Sequence, residues 1–278
     1  MDRLNAIFQV QPDISDCEDA VDIPGIEGEV EFSNLTFQYP DTLSPVLDGV
    51  SLRIAPGMTL GILGRTGSGK STLTDLLLRV YDPSPGELFI DGIDITRIPL
   101  AVLRRDIGYV PQDNFLFSTS VFQNIAFAGC EFTLEEVEHA AELAGVADDI
   151  RGFPEGFDTI VGERGVTLSG GQKQRVTIAR ALIKDPRILI LDDCFSAVDT
   201  GTEERILKSL RDVREGRTTI LISHRISTLK EADEIIVLDE GRVIERGDHE
   251  SLLALGGLYA EIHERQLLEA ELGSDRET

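Results

Sequence analysis

Thr59-Leu60-Gly61-Ile62-Leu63-Gly64-Arg65-Thr66-Gly67-Ser68-Gly69-Lys70-Ser71-Thr72 decides the fold of this chain. Its first five residues read as an apolar strand, and Thr72 to Val80 carries helical spacing. Between them, Gly64 to Ser71 fits G-x-x-x-x-G-K-[ST] in the strand-then-helix context that the motif needs. Glycine lets consecutive backbone N–H groups turn toward one anion without Cβ clashes. The helix that opens there adds its positive dipole end. The run therefore reads as a phosphate loop. Lys70 is expected to reach the terminal phosphates of a nucleotide and Ser71 to ligate Mg²⁺, with Gly64, Thr66, Gly67, Ser68, Gly69 and Thr72 completing the cradle.

Downstream of Leu60, apolar strands near 60–63, 107–110, 188–192, 219–222 and 235–238 alternate with helical patterns. That alternation implies an α/β fold, a mostly parallel sheet with helices on both faces. Ile188-Leu189-Ile190-Leu191 ends in Asp192-Asp193. A hydrophobic strand with an acid at its tip is a common way to hold Mg²⁺ beside a nucleotide, so Asp192 is the expected metal partner. Asp193 falls where a nucleotide hydrolase would position or activate water. Upstream, Val30 to Phe37 alternates imperfectly and Val50 to Ile54 cleanly; Pro56-Gly57 then turns into Thr59 to Leu63, which suggests antiparallel pairing. Residues 115–185 read as a helical insertion, with one helix through Glu135, Val137, Ala140, Ala141 and Leu143 and another through Val176, Ala179 and Leu182. A final helical stretch covers 250–270, and the end is acidic.

The 278 residues suffice for one large domain or two modest ones. No run approaches the roughly 18 apolar residues that span a bilayer, and no basic region followed by an apolar block marks a signal peptide. Cys17, Cys130 and Cys194 form no disulfide framework, which fits a reduced compartment. The net charge of −24, with 5 Lys and 21 Arg against 50 acids, argues against nucleic-acid binding. It suits either a salt-adapted surface or an ordinary acidic one.

Leu168-Ser169-Gly170-Gly171-Gln172, followed by Lys173-Gln174-Arg175, resembles the signature of ATP-binding cassette (ABC) ATPases. Ser196-Ala197-Val198-Asp199 resembles the D-loop, Ser223-His224-Arg225 the switch-histidine segment, Gln112 the Q-loop glutamine, and Tyr39 the aromatic residue that stacks on adenine. The resemblance covers roughly 28–265 and implies a P-loop NTPase core with an antiparallel β subdomain and a helical subdomain at about 115–185. It implies ATP and Mg²⁺ as cofactors. Tyr39, Lys70, Ser71, Gln112, Asp192 and His224 would serve this chain's own ATP, Gln112 among the Mg²⁺ ligands. Ser169, Gly170, Gly171 and Gln172, at a helix start, would serve the ATP of a second cassette docked head to tail.

Val161-Gly162-Glu163-Arg164-Gly165 resembles the loop that exporter-type cassettes place against transmembrane domains, and Leu4 to Val10 the link from a last transmembrane helix. The expected organisation is a linker over 1–27, the cassette over 28–265 and an acidic tail over 266–278, at the cytoplasmic face of the plasma (inner) membrane. Phe115-Leu116-Phe117 and Val121-Phe122 fall where the family touches the membrane domain, so some are expected to be exposed. In one respect the chain departs from the pattern. Active cassettes usually carry Glu where Asp193 stands, and the missing methylene draws the carboxylate back. The change resembles the degenerate member of heterodimeric exporters, although His224 is retained; the expectation is ATP binding with slow hydrolysis and a homodimeric or, as Asp193 favours, heterodimeric partner. The alternatives are a soluble cassette ATPase of nucleic-acid or ribosome metabolism and a regulatory ATP-binding module.

Overall fold

The computed structural model describes residues 12–128, 132–162, 166–195, 201, 203, 206 and 216–274. Burial separates two kinds of strand. β1 (Val30–Phe37) and β2 (Leu47–Ile54) alternate buried and exposed positions, so one face is covered. They pair antiparallel, with register shifts near Leu35 that match the imperfect alternation there. With β4 (Leu88–Ile90) and β5 (Ile93–Asp94) they form a four-stranded sheet in the order β2-β1-β4-β5. By contrast β3 (Thr59–Gly64), β7 (Ile188–Asp192) and β8 (Thr218–Ile222) are buried at every position. They join β6 (Ile107–Val110), β9 (Glu234–Asp239) and β10 (Arg242–Gly247) in a six-stranded sheet ordered β10-β9-β3-β8-β7-β6. It is parallel except where β10 turns back on β9.

The expected pairing of 50–54 with 59–63 does not occur. β2 pairs with β1, and β3 lies parallel to β8 and β9. A strand apolar on both faces, as β3 is, gains most in a sheet interior, while β2 has only one face to bury. Pro56-Gly57 carries the chain from one sheet to the other.

Helices cover the large sheet. α1 (Lys70–Leu77) follows β3, starting two residues before the expected Thr72 and ending before Val80. α2 (Leu100–Asp106) precedes β6. The helical region holds α3 (Val121–Ile125), α4 (Leu134–Leu143), α5 (Ala147–Arg151) and α6 (Gly170–Leu182). After β8 come α7 (Ile226–Leu229), α8 (His249–Leu255) and α9 (Leu258–Ser274). The single stretch expected over 250–270 is thus two helices, broken at Gly256. α9 runs through the position expected to begin the acidic tail.

Residues of the central strands divide by parity between two cores. Leu189, Leu191, Leu221 and Val237 face Val137, Val176 and Ile178 of the helical region. Ile188, Ile190, Ile220 and Ile222 face Leu73, Leu76 and Leu77 of α1 and the buried side of the small sheet. Period-two side-chain alternation in a doubly covered sheet produces this division. No helix among the described residues is long and apolar enough to cross a membrane.

The β9–β10 turn supports the phosphate loop from behind. Gly241 N–H donates to the Ser68 carbonyl at 3.1 Å, and Asp48 N–H donates to the Gly241 carbonyl at 2.9 Å. Glu240 and Gly241 both have positive φ, 45° and 78°, as a tight hairpin turn between right-twisted strands requires. A Cβ on Gly241 would sit 2.3 Å from the Val46 carbonyl oxygen. Gly241→Ala is therefore expected to destabilise the fold by about 1–3 kcal/mol in urea denaturation.

Candidate functional site

Parallel strands present their carboxyl ends along one edge, and loops leaving that edge form the natural ligand crevice of α/β sheets. Here β3, β8 and β7 are neighbours, so the segments after Gly64, Ile222 and Asp192 meet. A cleft of about 650 Å³ opens between them. Gly64, Thr66, Gly67, Gly69, Lys70, Ser71 and Thr72 line it together with Gln112, Asp192, Asp193 and His224. Val46, Leu63, Arg65, Ile262 and Arg265 complete the wall.

The loop is built against the small sheet. Gly69 has φ 103°, and a Cβ there would meet Leu47 Cδ2 at 2.7 Å. Ser68 is buried beneath the loop, and its hydroxyl has no hydrogen-bond partner among the described residues. Lys70 Nζ donates to the carbonyls of Gly64 at 2.7 Å and Arg65 at 2.9 Å. Burial lowers its pKa, and the nearby charges of Asp193 and Asp192 oppose that shift.

Asp192 and Asp193, adjacent in sequence, have separate environments. Asp192 is 6% exposed, and the hydroxyl of Tyr109 on the neighbouring β6 approaches its carboxylate at 3.4 Å. Burial raises its pKa, with Asp193 pushing the same way. The same burial raises the Tyr109 phenol. Asp193 leaves the sheet with a left-handed φ of 41°, after donating its N–H to the Ile222 carbonyl at 2.8 Å. Its carboxylate turns onto His224 Nδ1, at 2.8 and 2.9 Å from its two oxygens. The carboxylate bond raises the His224 pKa, against burial, which lowers it. Asp192 pairs with Ile222 in the β7–β8 register, so the residues that follow each strand end lie side by side.

Other expected residues lie outside the cleft. The Tyr39 hydroxyl lies 3.1 Å from the Thr72 hydroxyl and donates to Asp75 at 3.2 Å, and its ring packs edge-on against Phe37 and Tyr81. Burial raises its pKa. None of Ser169, Gly170, Gly171 and Gln172 lines the cleft. Ser169 caps α6 reciprocally: its hydroxyl accepts from Gln172 N–H at 3.2 Å, and Gln172 Oε1 accepts from Ser169 N–H at 3.0 Å. Gln172 Nε2 also donates to Asp149 at 3.0 Å, tying α6 to α5. Ser169 and Gly170 are exposed. Ser196–Asp199, Glu163–Gly165 and Leu4–Val10 lie outside the described residues.

Tyr109, Ile262 and Arg265 were not legible as site residues. Tyr109 stands three positions before Gln112, but only strand order places it against Asp192. Ile262 and Arg265 reach the cleft because α9 folds back over it.

A phosphate loop leaving an interior strand of a mostly parallel sheet, with an acid at a nearby strand tip, defines a P-loop nucleotide-binding domain. The sequence profile of the ABC transporter family matches residues 47–196. The chain belongs to the ABC transporter family, as a nucleotide-binding domain with an exporter among its relatives of known structure. It is 46% identical over 268 residues to the probable multidrug resistance ABC transporter ATP-binding/permease protein YheI of Bacillus subtilis, covering 96% of this chain and 46% of that one. Against the ATP-dependent lipid A-core flippase of Syntrophus aciditrophicus the identity is 42% over 273 residues, covering 98% and 45%. Against the cyclolysin secretion/processing ATP-binding protein CyaB of Bordetella pertussis it is 46% over 270 residues, covering 97% and 38%. A bacterial Atm1-family ABC exporter solved with ATP bound superposes with a TM-score of 0.89 at 44% identity, covering 96% of this chain and 46% of that one. The chain thus spans less than half the length of each of these relatives.

The Asp193–His224 pair predicts a titration. Because the folded-state pKa of His224 lies above the ordinary 6.5, the stabilisation that its charged form gains from Asp193 is fully present below that pH. It fades as pH rises through the folded value. In an NMR titration His224 should titrate above 6.5, and Asp193→Asn should lower its midpoint.

Proposed function

We propose that this chain binds Mg-ATP in the cleft and acts as the ATPase motor domain of an exporter, closing head to tail on a second nucleotide-binding domain. One observation carries the reading: Lys70, Ser71, Gln112, Asp192, Asp193 and His224 converge on one cleft, while Ser169 and Gly170 are exposed away from it. The two halves of the ATP machinery are thus split, and a second copy or homologous cassette would complete each site.

The residues fit a nucleotide with its metal. The glycine-lined loop and Lys70 suit the phosphates. Ser71, Gln112 and the buried Asp192 would hold Mg²⁺, which screens phosphate charge when bound. Among the described residues no cluster of three or more His, Cys, Asp or Glu could hold a metal alone, so phosphate oxygens would complete the set. Tyr39, beside Thr72 at the loop's end, would stack on adenine by turning from its contacts with Phe37 and Tyr81. With His224 Nδ1 held by Asp193, its Nε2 is left for the γ-phosphate.

The same pair supports slow hydrolysis at this chain's own site. Asp193 is one methylene shorter than the usual Glu, and both its oxygens face the imidazole. A general base must reach the water that it activates. In a heterodimer, the intact Ser169–Gln172 signature would serve the partner's competent site.

Docking to a membrane domain is supported by a second hollow of about 530 Å³ between the segment after Gln112 and that before the signature. Phe115 is 63% exposed at its edge, whereas Val121 is buried. The Arg180 guanidinium packs against the Phe117 and Phe127 rings and donates to the Phe115 carbonyl, which stiffens this rim. In the proposed organisation, residues 1–27 lead from a transmembrane region, 28–265 form the cassette and an acidic end follows, at the cytoplasmic face of the membrane.

Steady-state ATPase at concentrations that permit dimers is expected to be slow in the wild type and at least about tenfold faster in Asp193→Glu. Equal fast rates, both abolished by His224→Ala, would overturn the slow-site reading. Ser169→Arg should leave nucleotide binding to this chain unchanged while lowering turnover at the partner's site in a reconstituted pair.

A further inference from the structure

α7, which follows the switch histidine, has four residues and begins without a side-chain cap. Its first N–H, on Ile226, would be an orphan donor, and the His224 carbonyl, at the other end of the turn, needs a donor of its own. Both are met by one side chain 40 or more positions away. Gln266 Oε1 accepts from Ile226 N–H at 3.0 Å, and Gln266 Nε2 donates to the His224 carbonyl at 2.6 Å. A backbone N–H can only donate and a carbonyl can only accept, so the amide has one satisfactory orientation here. The middle residue of the turn is held separately, by Arg225 N–H donating to the Ser223 hydroxyl at 3.0 Å.

The placement of Gln266 follows from α9. Tyr259 and Ile262 are buried in the same core as Ile226 and Leu229. Gln266 stands seven residues after Tyr259 and four after Ile262, on the same face of the helix. The start of α9 is fixed by Glu245, whose carboxylate accepts from Leu258 and Tyr259 N–H. Register, anchor and cap together bring the amide to the turn. The imidazole rests on Asp193, with 54% of the His224 side chain exposed.

We propose that Gln266 is a positioning residue for His224, its amide bridging the two ends of the 224–226 turn from α9 and thereby aiming the imidazole at Asp193 and the cleft. This makes α9 part of the nucleotide site. The inference rests on the reading of His224 as a γ-phosphate residue.

The test uses the 278-residue chain. Nucleotide affinity is measured with a fluorescent ATP analogue, and ATPase in the wild-type and Asp193→Glu backgrounds. Imidazole ¹⁵N spectra supply a readout that needs no turnover; with four histidines in the chain, His224 is assignable through His224→Gln. Gln266→Ala is expected to lower kcat about three- to tenfold with KM within about twofold, as for loss of one or two hydrogen bonds that orient a group. The His224 Nδ1 signal should move toward that of free imidazole. Gln266→Glu keeps the acceptor for Ile226 but loses the donor and should fall between. Leu268→Ala, on an exposed face of α9, should match the wild type in all readouts. An unchanged kcat together with an unchanged Nδ1 signal in Gln266→Ala would overturn the proposal. Failure of the wild type to bind the analogue would instead sink the ATP reading, and the imidazole spectrum would still decide the bridge.

Discussion

The β7–β8 pairing, with Asp192 opposite Ile222, is the contact on which the site depends. Parallel register at that pair sets the residues after both strands next to one another, so Asp193 and His224 meet at 2.8 Å although 31 positions separate them. One strand further along, β3 delivers the phosphate loop to the same edge. A one-residue slip in any of these pairs would turn every side chain of the strand to the opposite core, where the Ile–Leu parity no longer matches. The hydrophobic cores that stabilise the sheet thereby also fix the geometry of the cleft.

The phosphate loop has a second support. It lies between the large sheet and the small one, with Leu47 close beneath Gly69 and Gly241 behind Ser68. Residues with no chemistry of their own thus limit where backbone N–H groups can point. α9 closes the remaining side, contributing Ile262 and Arg265 to the wall and Gln266 to the histidine turn. The apolar anchors Tyr259 and Ile262 hold it there.

Much of this was legible along the chain. The loop, the Asp192 strand tip, the parallel strands and the helical region are local patterns, since a motif and a periodicity each depend on residues near one another. The pairing of β2 with β3 is not decided by local sequence, because a Pro-Gly turn between two strands looks the same whether they pair or part. What separates the cases is that β3 is apolar on both faces, a property that only a covering layer on each side can reward. The single helix over 250–270 failed at Gly256, whose left-handed conformation ends α8.

By itself the sequence determined the fold class, the family and many of the groups that line the cleft, because these follow from short-range spacing and side-chain chemistry. It also determined that Asp193 is one methylene shorter than the usual Glu. The tertiary structure alone decided that Asp193 and His224 are a pair, that Ser169 to Gln172 stand apart from the cleft of their own chain, and that α9 reaches the His224 turn. These relations join residues distant in sequence. They are set by which strands are neighbours and which helix face is apolar, and so they exist only once the two cores have formed.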